Sequence, residues 1–558
     1  MDNGGGGSVL RSQAMMPLLS LRPLTPVRPR LPLSRKAAYL ESVSGCALTT
    51  GRGLSGVVRA ADTTGTSYQS RPEEGARFPG RIAALRPPAD RLLLPRTRSG
   101  NGANSSTSSS HNCNTGRGGD CTPSGEDSAR PRTQLEMSLI WLQVGQCGNQ
   151  IGQEWWQILS SNLADADRYP YFSRDGFINA ICVDTEPKVI RKLRQQVKRG
   201  YFRDSNVIVG QRGRGNNWAY GYQEITSSAE ESLLHRTMEA VRREVERRDC
   251  YSGAVMLHSL CGGTGSGLGS RLCEEIRDAY PAGYILSVTA APHDTGDSPL
   301  QHYNSLLCLT WMQRFCDGVL LFQNDEVMKR AASFVENKTL PASGLHPSIS
   351  LTSMNTHIAS CLAGLFCPVY SLRTRSSVSV GLEPWELIRC LCPMSTMKFL
   401  HTSLVCNRGT ASWDKVTSSV VQTIPRADPH GRLHHSLSVL AVARNSQDYP
   451  FLLSRDSVLM KLRQAYRCVP WHPSAIQCWT DPQNILDPSC HSHSLTVCAN
   501  HSSAADLMSG VLSRARAMYN AGAYLHWYRG YGCEDDHFQM SFDTLTSTVE
   551  EYRGLGVP

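Results

Sequence analysis

Four glycines fall within seven residues at Cys261-Gly262-Gly263-Thr264-Gly265-Ser266-Gly267, and no other segment of this chain is so well suited to hold an anion. Backbone without Cβ atoms can approach a negative group closely and turn its N–H groups toward it. A helix expected over 268–280 begins here, so the positive end of its dipole faces the same place, and Thr264 and Ser266 add hydroxyl donors. The segment reads as a phosphate cradle; the other reading of a lone glycine-rich stretch is a structural turn. It is not a P-loop, which ends in Gly-Lys-Ser/Thr, because no Gly-Lys pair occurs anywhere in the chain. Nor does it have the Gly-x-Gly-x-x-Gly spacing that follows the first strand of a dinucleotide-binding unit. Asn337-Lys338-Thr339-Leu340 lacks the aspartate that completes the guanine-reading Asn-Lys-x-Asp pattern.

A second group, Cys490, His491, His493, Cys498 and His501, has the residue types of a zinc site. Its spacing matches no standard finger. Leu495 and Val497 alternate as in a half-buried strand, and strand geometry alone would point His491 and His493 the same way. The metal reading is therefore the lesser of the two.

The elements that must position the glycine segment follow an alternating pattern. An apolar strand at 138–144 precedes a turn at 145–150 and a helix at 151–159. Strands at 180–183, 254–259 and 284–290 alternate with helices at 187–198, 230–248 and 268–280. Strand, glycine turn and helix in repetition predict a doubly wound α/β parallel sheet, with ligands at the carboxyl ends of the strands. One apolar helix is expected at 354–366, ended by Pro368. Beyond about 376 the alternation weakens into an α+β region with strands at 436–443 and 495–499. Two helices at 504–523 and 536–552, joined through Gly530-Tyr531-Gly532, close the chain. The expected organisation is an extension at 1–136, a nucleotide-binding domain at 137–352, a core helix with an intermediate domain at 353–504, and C-terminal helices at 505–558.

Charge and composition exclude several classes. The net charge of +9 belongs almost wholly to residues 1–136, with 18 Lys+Arg against 10 Asp+Glu; the remainder holds 39 against 38. A nearly neutral folded part lacks the basic face of a nucleic-acid binder. No apolar run approaches the roughly 18 residues of a membrane span. The 20 cysteines are scattered through a long chain, as reduced thiols rather than a disulfide framework. Residues 1–136 are rich in Gly, Ser, Pro and Arg and read as disordered. An organelle transit peptide, or translation starting at Met137, are the other readings of that segment.

The glycine segment does not stand alone. His258-Ser259-Leu260 before it, Gly145-Gln146-Cys147-Gly148-Asn149-Gln150-Ile151-Gly152, Val183-Asp184-Thr185-Glu186-Pro187, Gly215-Asn216-Asn217-Trp218-Ala219 and Ala523-Tyr524-Leu525-His526-Trp527-Tyr528 occur in the order found in the tubulin superfamily. Residues 137 to about 555 resemble that family, diffusely between 367 and 504. The delta branch is the most similar, on Asn216-Asn217-Trp218-Ala219-Tyr220-Gly221-Tyr222, Glu186-Pro187-Lys188-Val189-Ile190, and cysteine rather than glycine at 261. An acidic C-terminal tail is missing.

The resemblance implies GTP or GDP as cofactor, with Mg2+. It places Gln146, Cys147 and Gln150 at phosphate and ribose. Ser259, Gly262, Gly263, Thr264, Gly265, Ser266 and Gly267 fall around the phosphates, and Asn216 and Asn217 beside the terminal one. Asp184 and Glu186 fall near the magnesium, which favours one or two carboxylates plus phosphate oxygens; their other reading is helix N-terminal charge. Asp297 falls on the ribose loop. Asn324 and Asn355 resemble the guanine-reading pair, since an amide carries both donor and acceptor; Asn355 reads equally as a helix N-cap. Family members hydrolyse GTP with an acid supplied by the next subunit, and Glu386 falls at that position, although Gly381 stands where an asparagine is expected. A solvated helix residue is its other reading. The implied partners are other tubulins in head-to-tail contact and centriolar or basal-body microtubules, with no nucleic acid and no membrane. The implied place is the cytoplasm and cytoskeleton, at centriole, centrosome and cilium basal body. The alternative function is a GTP-binding assembly or adaptor protein that never turns GTP over.

Overall fold

The computed structural model describes residues 137–163, 171–173, 175–196, 202–223, 232–248, 250–296, 298–336, 349–369, 384–407, 412–446, 449–487 and 492–556. The extension 1–136, Asp297, Asn337-Lys338-Thr339-Leu340, Gly381, Cys490 and His491 lie outside them.

Ten strands form one sheet: β1 (Met137–Val144), β2 (Ala180–Asp184), β3 (Val207–Val209), β4 (Cys250–Ser259), β5 (Tyr284–Ala291), β6 (Gly318–Gln323), β7 (Phe399–Asn407), β8 (Ser436–Arg444), β9 (Ile476–Asp481) and β10 (His493–His501). Their order is β3-β2-β1-β4-β5-β6-β7-β10-β8-β9. The run from β3 to β7 is parallel, β10 is antiparallel to both neighbours, and β9 pairs parallel with β8. The expected doubly wound parallel sheet is present, extended by a mixed α+β part.

The strands are apolar on both faces because both are covered. In β1, Ile140, Leu142 and Val144 join one core, while Leu139 and Trp141 join the other. The first core packs helices α4 (Leu233–Glu246), α5 (Gly269–Ala279) and α6 (Gln301–Phe315), together with the C-terminal helices Ala504–Asn520 and Asp535–Gly554. The second packs α1 (Gly145–Asn162) and α8 (Leu351–Phe366). There Trp141, Trp155, Trp156 and Phe366 meet within 6.1 Å between ring centroids in successive pairs.

Four expectations are corrected. The segment 145–150 is not a turn: α1 starts at Gly145 itself, whose φ of 73° lets the strand pass straight into the helix. The glycine segment is not a plain turn ahead of the helix either. Gly263–Leu268 winds as a π-helical turn that runs into α5, and such turns cluster at functional sites. Asn355 is not the cap of α8. Ser350 is, its hydroxyl accepting from Ser353 N at 3.1 Å, and Asn355 stands in the second turn. Finally, the two C-terminal helices are separated by a short helix, Leu525–Arg529, entered through Tyr524 at φ 58°.

In β10, Cys498 points into the core shared with α8, whereas His493 packs on Trp413 and His501 on Tyr466 on the opposite face. The rings are tied off locally, His493 Nδ1 to Asn445 O at 3.1 Å and His501 Nδ1 to Ser503 Oγ at 2.8 Å. Among the described residues no group of three or more His, Cys, Asp or Glu is arranged to hold a metal, and no helix is long and apolar enough to cross a membrane.

Candidate functional site

The chain leaves β1 for β2 and β3 on one side, then returns to place β4, β5 and β6 on the other, so the strand order reverses between β1 and β4. A ligand crevice is expected at that point, beyond the carboxyl ends of the strands. A cavity of about 470 Å³ lies there, lined from the ends of β2 (Asp184) and β4 (Ser259) and from the first turns of α1 (Gln146, Cys147, Gln150) and of α7 (Asn324–Glu336).

At one end the glycine turn forms the wall. Gly262, Gly263, Thr264 and Gly265 line the cavity, and their lack of side chains is required by close packing rather than by flexibility. A Cβ on Gly263 would lie 2.6 Å from Arg214 O, and one on Gly265 2.9 Å from Ser259 Oγ. A Cβ on Gly267 would lie 2.2 Å from Trp218 O, since the short helix α3 (Trp218–Gln223) is pressed against the turn. Ser266 and Gly267 are buried behind the wall, with the Ser266 hydroxyl donating to Gly262 O. Two contacts knit the neighbouring loops. Asn149 Nδ2 donates to Gly145 O at 2.9 Å and to Val183 O at 3.0 Å. The Thr185 and Thr264 hydroxyls share a hydrogen bond of 2.6 Å. The N-termini of α1 and of the turn leading to α5 thus converge on one small volume, which suits phosphate.

Beside that wall stand Asp184, buried, and Glu186, exposed. Burial pushes the Asp184 carboxyl up from 3.8 to about 6; the N–H groups of Glu186 and Thr185 offset part of this, and the Glu186 charge adds to it. A buried carboxylate so destabilised, two residues from a second one and facing an anion cradle, is a donor set that a divalent cation fits. Lys188 and Arg214 also line the cavity. The Arg214 guanidinium lies 4.9 Å over the Tyr220 ring. Cys147 and Cys261 line it too, both half-buried, and desolvation pushes the Cys147 thiol up to about 12, with Cys261 nearby adding to it.

At the other end are two amides and an apolar face. Asn324 is the first residue of α7, and Asn355 projects from α8 next to Leu351, Met354 and Ile358, all on the cavity. The i, i+3, i+4, i+7 spacing puts those four side chains on one stripe. Such a stripe suits a flat heteroaromatic ring, with the amides at its polar edge.

The third loop, Gly215-Asn216-Asn217, is held in place by a residue whose importance a lone asparagine does not signal. Asn304, fully buried on α6, spends its whole amide. It donates to Asn216 O and Cys261 O, each at 2.7 Å, and accepts from Trp218 N at 2.8 Å and Tyr528 Oη at 2.7 Å. One side chain therefore joins the third loop, the glycine turn and the C-terminal helices. Asn216, at φ 51°, lines the cavity. Asn217 does not: its Oδ1 accepts from Ala219 N and caps α3, while Nδ2 donates to Trp527 O at 2.9 Å.

Glu386 is elsewhere. It lies in the first turn of the helix Pro384–Leu391. Ile388 of that helix approaches Gly318, where β6 begins, with Cγ1 3.4 Å from an ideal Cβ there. The cavity is met at the other end of β6, roughly 20 Å away along six residues of strand.

Comparison with known proteins bears on this geometry. A model of the GTPase domain of the Tubulin/FtsZ family matches residues 138–332, which contain the glycine turn, both carboxylates, the third loop and Asn324. The chain is 27% identical over 468 residues to the tubulin delta chain of Macaca fascicularis, covering 75% of this chain and 100% of that one. It is 28% identical over 477 residues to the tubulin delta chain of Mus musculus, with the same coverage. It is also 28% identical over 451 residues to the tubulin beta-2 chain of Emericella nidulans, covering 74% and 94%. The strand order, the cavity at its reversal and these similarities agree: residues 138–332 form a GTPase domain of the Tubulin/FtsZ family, and the chain as a whole is similar to tubulins.

Proposed function

We propose that this chain is a delta-type tubulin that binds GTP with Mg2+, joins other tubulins head to tail, and serves centriolar or basal-body microtubules and cilium assembly. The observation that carries the nucleotide reading is the single cavity that gathers an anion cradle, two carboxylates and two amides over an apolar stripe. In this reading Gly263, Thr264 and Gly265 hold the terminal phosphates and Asn216 flanks them. Gln146, Cys147, Gln150 and Ser259 bound the phosphate and sugar, and Asn324 and Asn355 read the base. Asp184 and Glu186 would hold the magnesium, which would supply positive charge against the phosphate oxygens. Asn217 acts from behind, by capping α3. The three-part division at 137–352, 353–504 and 505–558 belongs to the same proposal.

Glu386 supports an arrangement in trans, because its helix packs at the end of β6 away from the cavity. A heterologous contact that stacks the Glu386 end of one subunit on the nucleotide end of the next does not close on itself, and so builds or caps filaments. There Glu386 would orient or activate the attacking water. Glu386→Ala should abolish partner-dependent GTP hydrolysis and leave GTP binding intact; unchanged turnover would refute the assignment. The delta-type role rests on motifs, since delta and beta chains are equally similar overall. Imaging of the tagged chain with and without residues 1–136 tests it. Signal at centrioles is expected, and import into an organelle would overturn it.

A further inference from the structure

We propose that His293 and Asp325 are positioning residues for the nucleotide site, clamping the segment that leaves β5 onto the first turn of α7, which Asn324 begins. The proposal rests on the guanine-nucleotide reading above and goes beyond it.

Ala290, near the end of β5, lines the cavity, and the chain then runs through 292–296 across to α7. There Asp325 takes two hydrogen bonds at once. His293 Nδ1 lies 2.7 Å from Oδ1, and Asp294 N donates to Oδ2 at 2.9 Å. A carboxylate gripping a ring and a backbone amide of adjacent residues fixes both position and orientation. The segment is closed behind by Gln301 Nε2, which donates to His293 O at 3.3 Å, and by Gly296 N, which donates to the same oxygen at 3.1 Å. A Cβ at Gly296 would lie 1.9 Å from Gln301 Oε1, so the turn has no slack on that side. Its outer side is held by Arg514 of the C-terminal helix Ala504–Asn520, which donates to Asp294 O at 2.6 Å.

Asn324 directly precedes Asp325, so whatever fixes that turn fixes the amide at the base end of the cavity. The pair is partly exposed, His293 33% and Asp325 38%, so it adds little to global stability. Its effect is local. Burial pushes the Asp325 carboxyl up, but the His293 hydrogen bond, the Asp294 N–H and the His293 and Lys329 charges together hold it below the ordinary range. The other charged and titratable groups here are Asp294 on the segment itself, Lys329 one turn along α7, His302 on α6, and Arg514. With Asp325 held ionised, the His293 ring and the Asp294 N–H both donate to a charged acceptor, which makes the clamp stronger than a neutral pair would be. GTP affinity should therefore fall when either side chain of the clamp is removed.

The test is calorimetric titration of the full chain with magnesium GTP for wild type, His293→Ala, His293→Gln and Asp325→Asn. His293→Ala and Asp325→Asn should each bind about fivefold more weakly than wild type, and His293→Gln, which keeps a neutral donor, should recover most of the loss. All four should share one melting temperature. Identical affinities for the four proteins overturn the clamp and leave the nucleotide site standing, and so does an affinity loss that merely tracks a lower melting temperature. A wild-type chain that takes up no GTP overturns the nucleotide reading beneath it.

Discussion

Asp184→Asn should stabilise the nucleotide-free protein while removing its response to magnesium. In the fold the Asp184 carboxyl titrates at about 6 rather than 3.8, chiefly because burial disfavours the charge. With about 1.4 kcal/mol for each tenfold change in proton affinity, keeping Asp184 ionised at neutral pH costs the fold about 3 kcal/mol. Asparagine has nearly the same shape, and its Oδ1 can still accept from the Glu186 and Thr185 N–H groups, so most of that cost should disappear. The sign can be followed with pH. A carboxyl raised in the fold is protonated more readily there than in the unfolded chain. Wild type should therefore gain stability as pH falls from about 6 to about 4, and Asp184→Asn should not. The assay is thermal or denaturant unfolding of both proteins across that range, in chelator and then in excess magnesium GTP. In chelator at pH 7 the variant should melt a few degrees higher, as expected for about 3 kcal/mol in a long chain. Magnesium should raise the wild-type midpoint in the presence of GTP and leave the variant's unmoved. A variant that melts lower than wild type in chelator, or that still answers to magnesium, would refute the account of this carboxylate.

Three further outcomes follow from the same geometry. Asn304→Ala removes four hydrogen bonds and strands buried partners, each at about 1–3 kcal/mol, so the chain should lose roughly 4 kcal/mol or more and release its nucleotide, as read by denaturant unfolding. Gly263→Ala drives a methyl group to 2.6 Å from Arg214 O, a backbone atom with no rotamer to change; GTP binding should fall at least tenfold while circular dichroism stays near wild type. His258 and His357 are both held to about 4 by burial, although backbone hydrogen bonds favour the charged form of His258. The unfolded chain takes up these protons first, so each histidine should cost the fold up to about 3 kcal/mol as pH falls from 6.5 to 4. His258→Gln should flatten that loss by calorimetry across the window. This trend opposes that of Asp184, and the two variants separate them.

The phosphate end of the site was the most legible part of the chain, because glycine at 262, 263, 265 and 267 is demanded by backbone contact and leaves a readable pattern. The base end was legible only through resemblance: Asn324 and Asn355 lie far apart in sequence, and no spacing rule links two lone amides. Asn304, Lys188 and Arg214 were missed for a related reason, since a single polar residue carries no pattern of its own. The signal that could have found Asn304 is its place among buried apolar neighbours on α6, where an unpaired amide would be costly. That helix itself went unread because it is buried on every side, from Gln301 to Met312, so it shows no amphipathic period. The helical winding of Gly145–Gln150 and of Gly263–Leu268 left no readable signal because their glycines suggest turns, whereas here they permit close packing. Within the parallel run, β1, β2, β4 and β5 could be traced from their alternation with helices, whereas β3, β6 and β7 were not read. The antiparallel pairing of β10 with β7 and β8 could not, since long-range register leaves no local trace.

The central claim is that the cavity at the β1/β4 reversal holds a guanine nucleotide. The most direct test is to denature the purified full-length protein and identify and count the nucleotide it releases. About one GTP or GDP per chain is the predicted result. ATP in its place, or no nucleotide from a protein that is folded by circular dichroism, would contradict it.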